Sequence, residues 1–357
     1  MFVLALLGVL DAVAWTSGVH GAFLALLVAA FLVYLAGLAR ARRAPFALVF
    51  VLASAIQLST LAAPLVASTD AWTYWSYARL HDPYRDTPSQ DAVSAPHAGA
   101  AYLHSTSAYG AAFALVSEPV AVTRSANAAA WAFKVAAALA VLAATWLVAR
   151  RRSFAAALVG WNPVVAVHFG GGGHNDALMV ALVAVALALG ARGRVQAAGV
   201  AWSLAVLVKW VPLLLLPLRA LEAREQGRRV GHIGFAAATI VTLALATALW
   251  RLHWLHALVP LSRDARRATS YALPSRTHLS PWLFAAAYAL AYLGLLRTAA
   301  RGRARLGLSF ALLLLALPYL IVWYVLWPLA LAAHDDDRAA VLLSLALCAY
   351  LLPQTIV

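Results

Sequence analysis

Hydrophobic residues fill 64% of the 357 positions and charged residues only 11%, for a mean hydropathy of +0.82. A soluble domain of this length carries roughly a quarter charged residues, so an aqueous globular fold is excluded. The formal net charge of +14 does not mark a nucleic-acid binder. The arginines stand in short clusters between apolar blocks, the pattern of membrane-protein loops on the cytoplasmic side.

Residues 1–16 are apolar with no basic residue ahead of them, and read as a retained membrane helix rather than a cleaved signal. They form a hairpin with 21–38. Arginine clusters follow at Arg40, Arg42 and Arg43, at Arg150 to Arg152, at Arg192 and Arg194, at Arg219 to Arg229, and at Arg297 to Arg305. With all five inside, each interval between them crosses the membrane an even number of times. A helix at 45–66 therefore leads out to a long external segment, 67–126, and a helix at 127–149 returns. Residues 153–168 and 176–190 make a hairpin that turns outside at Gly170-Gly171-Gly172-Gly173-His174-Asn175-Asp176. One full span at 195–218 would put the next cluster outside, so two half-helices meeting near Lys209 are expected there. A helix at 231–250 leads to a second external loop, 251–280, and 281–297 returns. Two short helices flank Pro318-Tyr319, and a last one covers 339–353. The chain thus reads as one integral membrane domain, 1–357, an all-α polytopic bundle of about 13 transmembrane helices. Several are short for a full span, which is tolerated where they line a protein-enclosed cavity.

The candidate chemistry sits at the external ends. Asp70 follows directly on an outgoing helix, with apolar walls on one side and water on the other. Partial burial is expected to raise its pKa and suit it to accept a proton. Its neighbours Trp72, Tyr74, Trp75 and Tyr77 fit an interfacial aromatic belt equally well. Asp176 is the second acid, with His174 and Asn175 beside it after four glycines that permit a tight turn and close approach. Helix capping is the competing reading of Asn175 and Asp176. Lys209 lies inside an apolar run, where an ammonium marks function. Lys134, the other lysine, stands nearer a helix end and reads as snorkelling to the interface. Arg263, Arg266, Arg267 and Arg276 in the second external loop run against the positive-inside rule. Their planar forks suit phosphate oxygens, anionic lipid headgroups being the alternative. No spacing of His, Asp and Glu makes a strong metal site, and the single Cys348 rules out an intrachain disulfide.

Taken in order, these residues resemble the polyprenol-phosphate-mannose-dependent mannosyltransferases of the GT-C superfamily. The features are Asp70 after an early helix with His81-Asp82-Pro83-Tyr84 downstream, Tyr109-Gly110, and Trp161-Asn162-Pro163 followed by His174-Asn175-Asp176. Val208-Lys209-Trp210-Val211-Pro212 and a late Trp323-Tyr324 complete the set. Ala111 departs from the pattern, since relatives carry proline after Tyr-Gly. The resemblance implies a GT-C-like bundle whose first extracytoplasmic loop is catalytic and carries juxtamembrane helices. It implies a multi-pass enzyme of the cell membrane moving a hexosyl residue, mannosyl first, from a polyprenyl-phosphate donor to a glycan or glycolipid acceptor. No cofactor is required, and a divalent cation is admitted. Asp70 would deprotonate the acceptor hydroxyl, with Asp176 as the second catalytic acid and His174 and Asn175 contacting the sugar. His104, Tyr109, Trp323 and Tyr324 join the substrate-binding set. Lys209 with Arg263, Arg266, Arg267 and Arg276 would stabilise the leaving phosphate. An arabinofuranosyl transferase of the same fold and a lipid-linked-sugar flippase are the alternatives, and a membrane scaffold is a third. A transporter would usually show repeated halves, which are not evident.

Overall fold

The computed structural model describes residues 20–65 and 68–356, which are all-helical with no strand among them. The helix expected at 1–16 lies outside the described residues. Five helical stretches are long and apolar enough to cross a bilayer: Ala22–Ala41, Ala126–Ala149, His232–Arg263, Pro281–Ala299 and Arg338–Thr355. Shorter apolar helices, among them Phe46–Ala62, Asp176–Ala191, Val195–Val208 and Leu306–Ala316, carry the rest. The five long and five shorter apolar helices make ten among the described residues, so the expected count of about 13 crossings is not confirmed. His232–Trp250 and Pro281–Ala299 expose large apolar side chains such as Ile240 and Leu290, as lipid-facing helices do. Asp176–Ala191 is instead buried along most of its length, at the centre of the bundle.

The arginine clusters gather at one end. The Arg42 guanidinium lies over the Phe154 ring, and Arg152 donates to the Ala333 carbonyl at 2.5 Å. Arg305 pairs with Asp337 at 2.5 Å, and Gln226 donates to the Gly302 carbonyl at 2.8 Å. Arg192 caps the far end of Asp176–Ala191. At 1.5 Å per residue, the 16 residues of that helix put Asp176 about 24 Å from this arginine-rich end. The acids and the arginine clusters therefore occupy opposite ends of the bundle.

Both expected helix breaks are present. Val195–Val208 stops at Lys209, whose backbone is extended at φ −152° and ψ 130°, and a turn containing Pro212 leads into Leu216–Glu225. Leu306–Ala316 likewise stops before Pro318, and the helix Leu326–Asp335 follows. Proline lacks the N–H that would continue the ladder. The break frees backbone carbonyls, and the Gly110 N–H donates to that of Val208 at 3.3 Å. A Cβ on Gly110 would stand 2.0 Å from the Leu207 carbonyl oxygen, so only glycine permits this approach. Ala111 is the first residue of the helix Ala111–Ser117, a position whose N–H has no intrahelical partner. Alanine where the resemblance implies proline leaves the helix start intact.

Lys134 departs from expectation. It does not snorkel; it is 3% exposed and donates to the carbonyls of Leu61 and Ala63 at 2.7 and 2.5 Å. Those carbonyls end the helical turn after Phe46–Ser59, so the ammonium satisfies groups that no further helix reaches. Lys134 thereby holds the segment that delivers Asp70. The external segment is tied down elsewhere by Arg79–Asp91 at 2.5 Å and by Asp82–His253 at 2.5 Å, the latter joining the first loop to the second.

Candidate active site

A cavity of about 650 Å³ opens at the end of the bundle away from the arginine clusters. Asp70 begins the helix Asp70–Arg79 and lines this cavity. Its Oδ2 accepts from His174 Nδ1 at 3.1 Å and from the Tyr74 hydroxyl at 3.3 Å. No described residue donates to Oδ1. Burial pushes the carboxyl pKa up, but the His174 hydrogen bond, the Lys209 charge and the Tyr74 hydroxyl outweigh it. The carboxyl is held below the ordinary range, opposite to the rise expected from its position alone.

The glycine turn brings the second acid to the same cavity. Gly170 packs against the end of the first outgoing helix, where a Cβ would stand 2.1 Å from Thr60 Oγ1. Asp176 follows as the first residue of its helix and is 1% exposed. Its Oδ1 accepts from Lys209 Nζ at 2.7 Å and from Trp327 Nε1 at 2.6 Å. The Lys209 ammonium also lies 4.6 Å from the Tyr324 ring centroid and 5.1 Å from that of Trp327. Lys209 reaches Asp176 from the extended residue at the helix break. Asp176 Oδ2 and Asn175 Nδ2 are buried without a partner among the described residues, an acceptor and a donor on neighbouring residues of the cavity wall.

Arg263, Arg266 and Arg267 line the cavity too. Their spacing of three and four residues puts them on one helical face. Arg263 donates to Ser105 Oγ at 3.3 Å, and Arg267 lies 5.9 Å from the Tyr319 ring. Tyr109, Asn175, Trp323 and Tyr324 line it as expected, whereas His174 stands behind Asp70. Two expected residues are not brought in. His104 is exposed and off the lining, and the Arg276 guanidinium lies over Tyr271 at 4.8 Å. Trp327 and the Tyr102–Tyr319 hydroxyl pair, 3.3 Å apart, were not anticipated. Trp327 had a legible signal, since it follows Trp323 and Tyr324 by four and three residues and so shares their face. Among the described residues, no three His, Cys, Asp or Glu side chains gather where they could hold a metal ion.

The fold and cavity define a helical membrane protein with a largely apolar, aromatic-walled cleft that also holds two carboxylates and several cations. The chain matches the family model described as alpha-(1->6)-mannopyranosyltransferase, N-terminal domain (MptA_B family), over residues 4–224. It belongs to that family and is a glycosyltransferase enzyme acting on mannose. The match contains Asp70, His174, Asp176 and Lys209, whereas the cavity arginines and the late aromatics lie beyond it. Neither curated proteins nor solved structures give a match.

Proposed function

We propose that this mannosyltransferase is a GT-C enzyme of the cell membrane, working at the extracytoplasmic face. It moves a mannosyl residue from a polyprenyl-phosphate donor to a hydroxyl of a glycan or glycolipid acceptor. The carrying observation is that one cavity combines an ionised carboxylate, three arginines with no carboxylate partner among the described contacts, and an apolar wall that includes Leu261, Leu313 and Leu317. A lipid phosphate needs the last two, and an acceptor hydroxyl needs the first.

In this reading Asp70 Oδ1 takes the acceptor proton as the new C1–O bond forms, while His174 and Tyr74 hold Oδ2 in place. The bond from C1 to the donor phosphate breaks, and the electron pair leaves with the phosphate oxygen. Positive charge aimed at that oxygen lowers the barrier. Lys209 is already matched by Asp176, so the arginines carry most of the phosphate charge and Lys209 adds a hydrogen-bond donor. Asn175 Nδ2 and Asp176 Oδ2 are available to the sugar hydroxyls. No cofactor is needed, and a divalent cation is compatible with the scheme.

The deciding experiment gives purified protein in detergent either polyprenyl-phosphate mannose or nucleotide-linked mannose, each with candidate glycan acceptors. Free polyprenyl phosphate should appear with the first donor. Transfer from the nucleotide donor alone would overturn the reading. The orientation has its own check. Cysteines replacing Ser89 and Ser270, both exposed at the cavity end, should react with an impermeant thiol reagent in intact cells. A cysteine at Gln226, exposed among the arginine clusters, should not react. Labelling at Gln226 would invert the topology.

A further inference from the structure

Behind Asp70, away from the cavity, lies a buried file of polar side chains, of which the proposed chemistry uses only His174. His174 and His168 are 0% and 1% exposed, and Thr355 is 3% exposed. His174 turns Nδ1 to Asp70 at 3.1 Å, while His168 turns Nε2 to Thr355 Oγ1 at 3.3 Å. The remaining nitrogens, His174 Nε2 and His168 Nδ1, are both buried and have no partner among the described residues. The two ring centroids are 6.0 Å apart. Trp323 stacks on His174 at 3.8 Å and 18° and lies 5.7 Å from His168, standing between these rings and the cavity it lines.

Buried nitrogens are rarely left unsatisfied, and one water shared between the two neighbouring rings would satisfy both. Resting on the reading of Asp70 as the base, we propose that His168 is a positioning residue that acts through such a water to hold His174 as a neutral donor to Asp70. The directions close into one consistent chain. The Thr355 hydroxyl donates to His168 Nε2, and His168 Nδ1–H donates to the water. The water donates to His174 Nε2, and His174 Nδ1–H donates to Asp70. Every group in the file has its polar atoms used, and the only charge is on Asp70. Without the His168 N–H, His174 is free to carry its proton on Nε2. That tautomer turns a lone pair towards Asp70 Oδ2 and releases the carboxylate from its productive orientation.

A double-mutant cycle tests this with the full-length protein in detergent. His168→Phe should lower kcat about tenfold while leaving the donor KM within about twofold, since His168 does not itself line the cavity and phenylalanine keeps a ring against Trp323. His168→Asn, whose amide still offers an N–H, should recover most of that loss. In a His174→Phe background, His168→Phe should cost nothing more, because the route through which it acts is gone. Full turnover in His168→Phe, or the same added loss on both backgrounds, would overturn the proposal. Should His168→Phe not fold, Thr355→Val takes its place, with a smaller kcat loss that must likewise vanish in the His174→Phe background. Asp70→Asn assayed in parallel separates the two readings. Full turnover there removes the base but leaves the His168–His174 coupling to be read by itself.

Discussion

Asp70→Asn should lower turnover by about 10²–10⁴-fold, the usual contribution of a general base. The amide keeps the size of the carboxyl and can still accept from His174 and Tyr74 through its oxygen, so the fold around it should persist. It cannot accept the acceptor's proton. Donor KM should change little, because the phosphate is assigned to the arginines. The matched control is Asp86→Asn, since the Asp86 carboxylate accepts a hydrogen bond from the Asp82 backbone N–H at 3.1 Å, which an amide oxygen can also accept. Asp82 and Asp91 in the same loop are unsuitable controls, being engaged with His253 and Arg79. The depressed pKa adds a second test. Held below the ordinary value of about 3.9, the Asp70 carboxyl stays ionised at every physiological pH, with modest basicity. The infrared carboxyl signal that disappears in Asp70→Asn should therefore emerge only as pH falls below about 4. Emergence above pH 5 would mean that burial dominates the site. Full turnover of Asp70→Asn would pass the role of base to Asp176.

Lys209→Met should damage both stability and activity, and the two effects can be separated. Asp176 is 1% exposed, and without Lys209 it keeps only the Trp327 hydrogen bond. Removing one partner of a buried pair costs about 3–5 kcal/mol, because the remaining charge is left uncompensated. Thermal unfolding in detergent should show this loss, and the double variant Lys209→Met with Asp176→Asn should regain most of it. Activity should not return, since a charge-assisted contact near the leaving phosphate is worth roughly 1.5–3 kcal/mol, about ten- to a hundredfold in rate. Lys134→Met supplies the contrast. It exposes the Leu61 and Ala63 carbonyls and should cost about 1–3 kcal/mol of stability, while the folded fraction retains its donor KM. If the Lys209 double variant regains activity together with stability, Lys209 is a structural clamp and the phosphate belongs to the arginines alone.

The features legible in the chain were those that local physics dictates. Apolar blocks interrupted by arginine clusters require lipid as the solvent, and the clusters do collect at one end of the bundle. A lysine inside an apolar run ahead of a proline, and a Pro318-Tyr319 step between two apolar runs, each announce a broken helix. Both effects act within a turn or two of the chain and can be read from spacing alone. The same holds for the glycine turn and for the arginine face at 263, 266 and 267.

Which charges meet across the bundle was not legible. Asp70 and His174 are 104 positions apart, Lys134 and Leu61 are 73 apart, and Asp176 and Trp327 are 151 apart. From position alone Asp70 was expected to have a raised pKa, because desolvation follows from being near a helix end. The compensating imidazole arrives from another turn, and its hydrogen bond reverses the sign. Lys134 was read as snorkelling for the same reason: the carbonyls it satisfies belong to a distant helix end. His104 and Arg276 had the right chemistry in the right loops, yet they do not line the cavity. Composition and spacing thus determined the solvent, the breaks and the polar ends of this protein, because those depend on neighbours along the chain. Partner choice and protonation were decided only by the tertiary structure, since burial and Coulomb terms depend on neighbours in space.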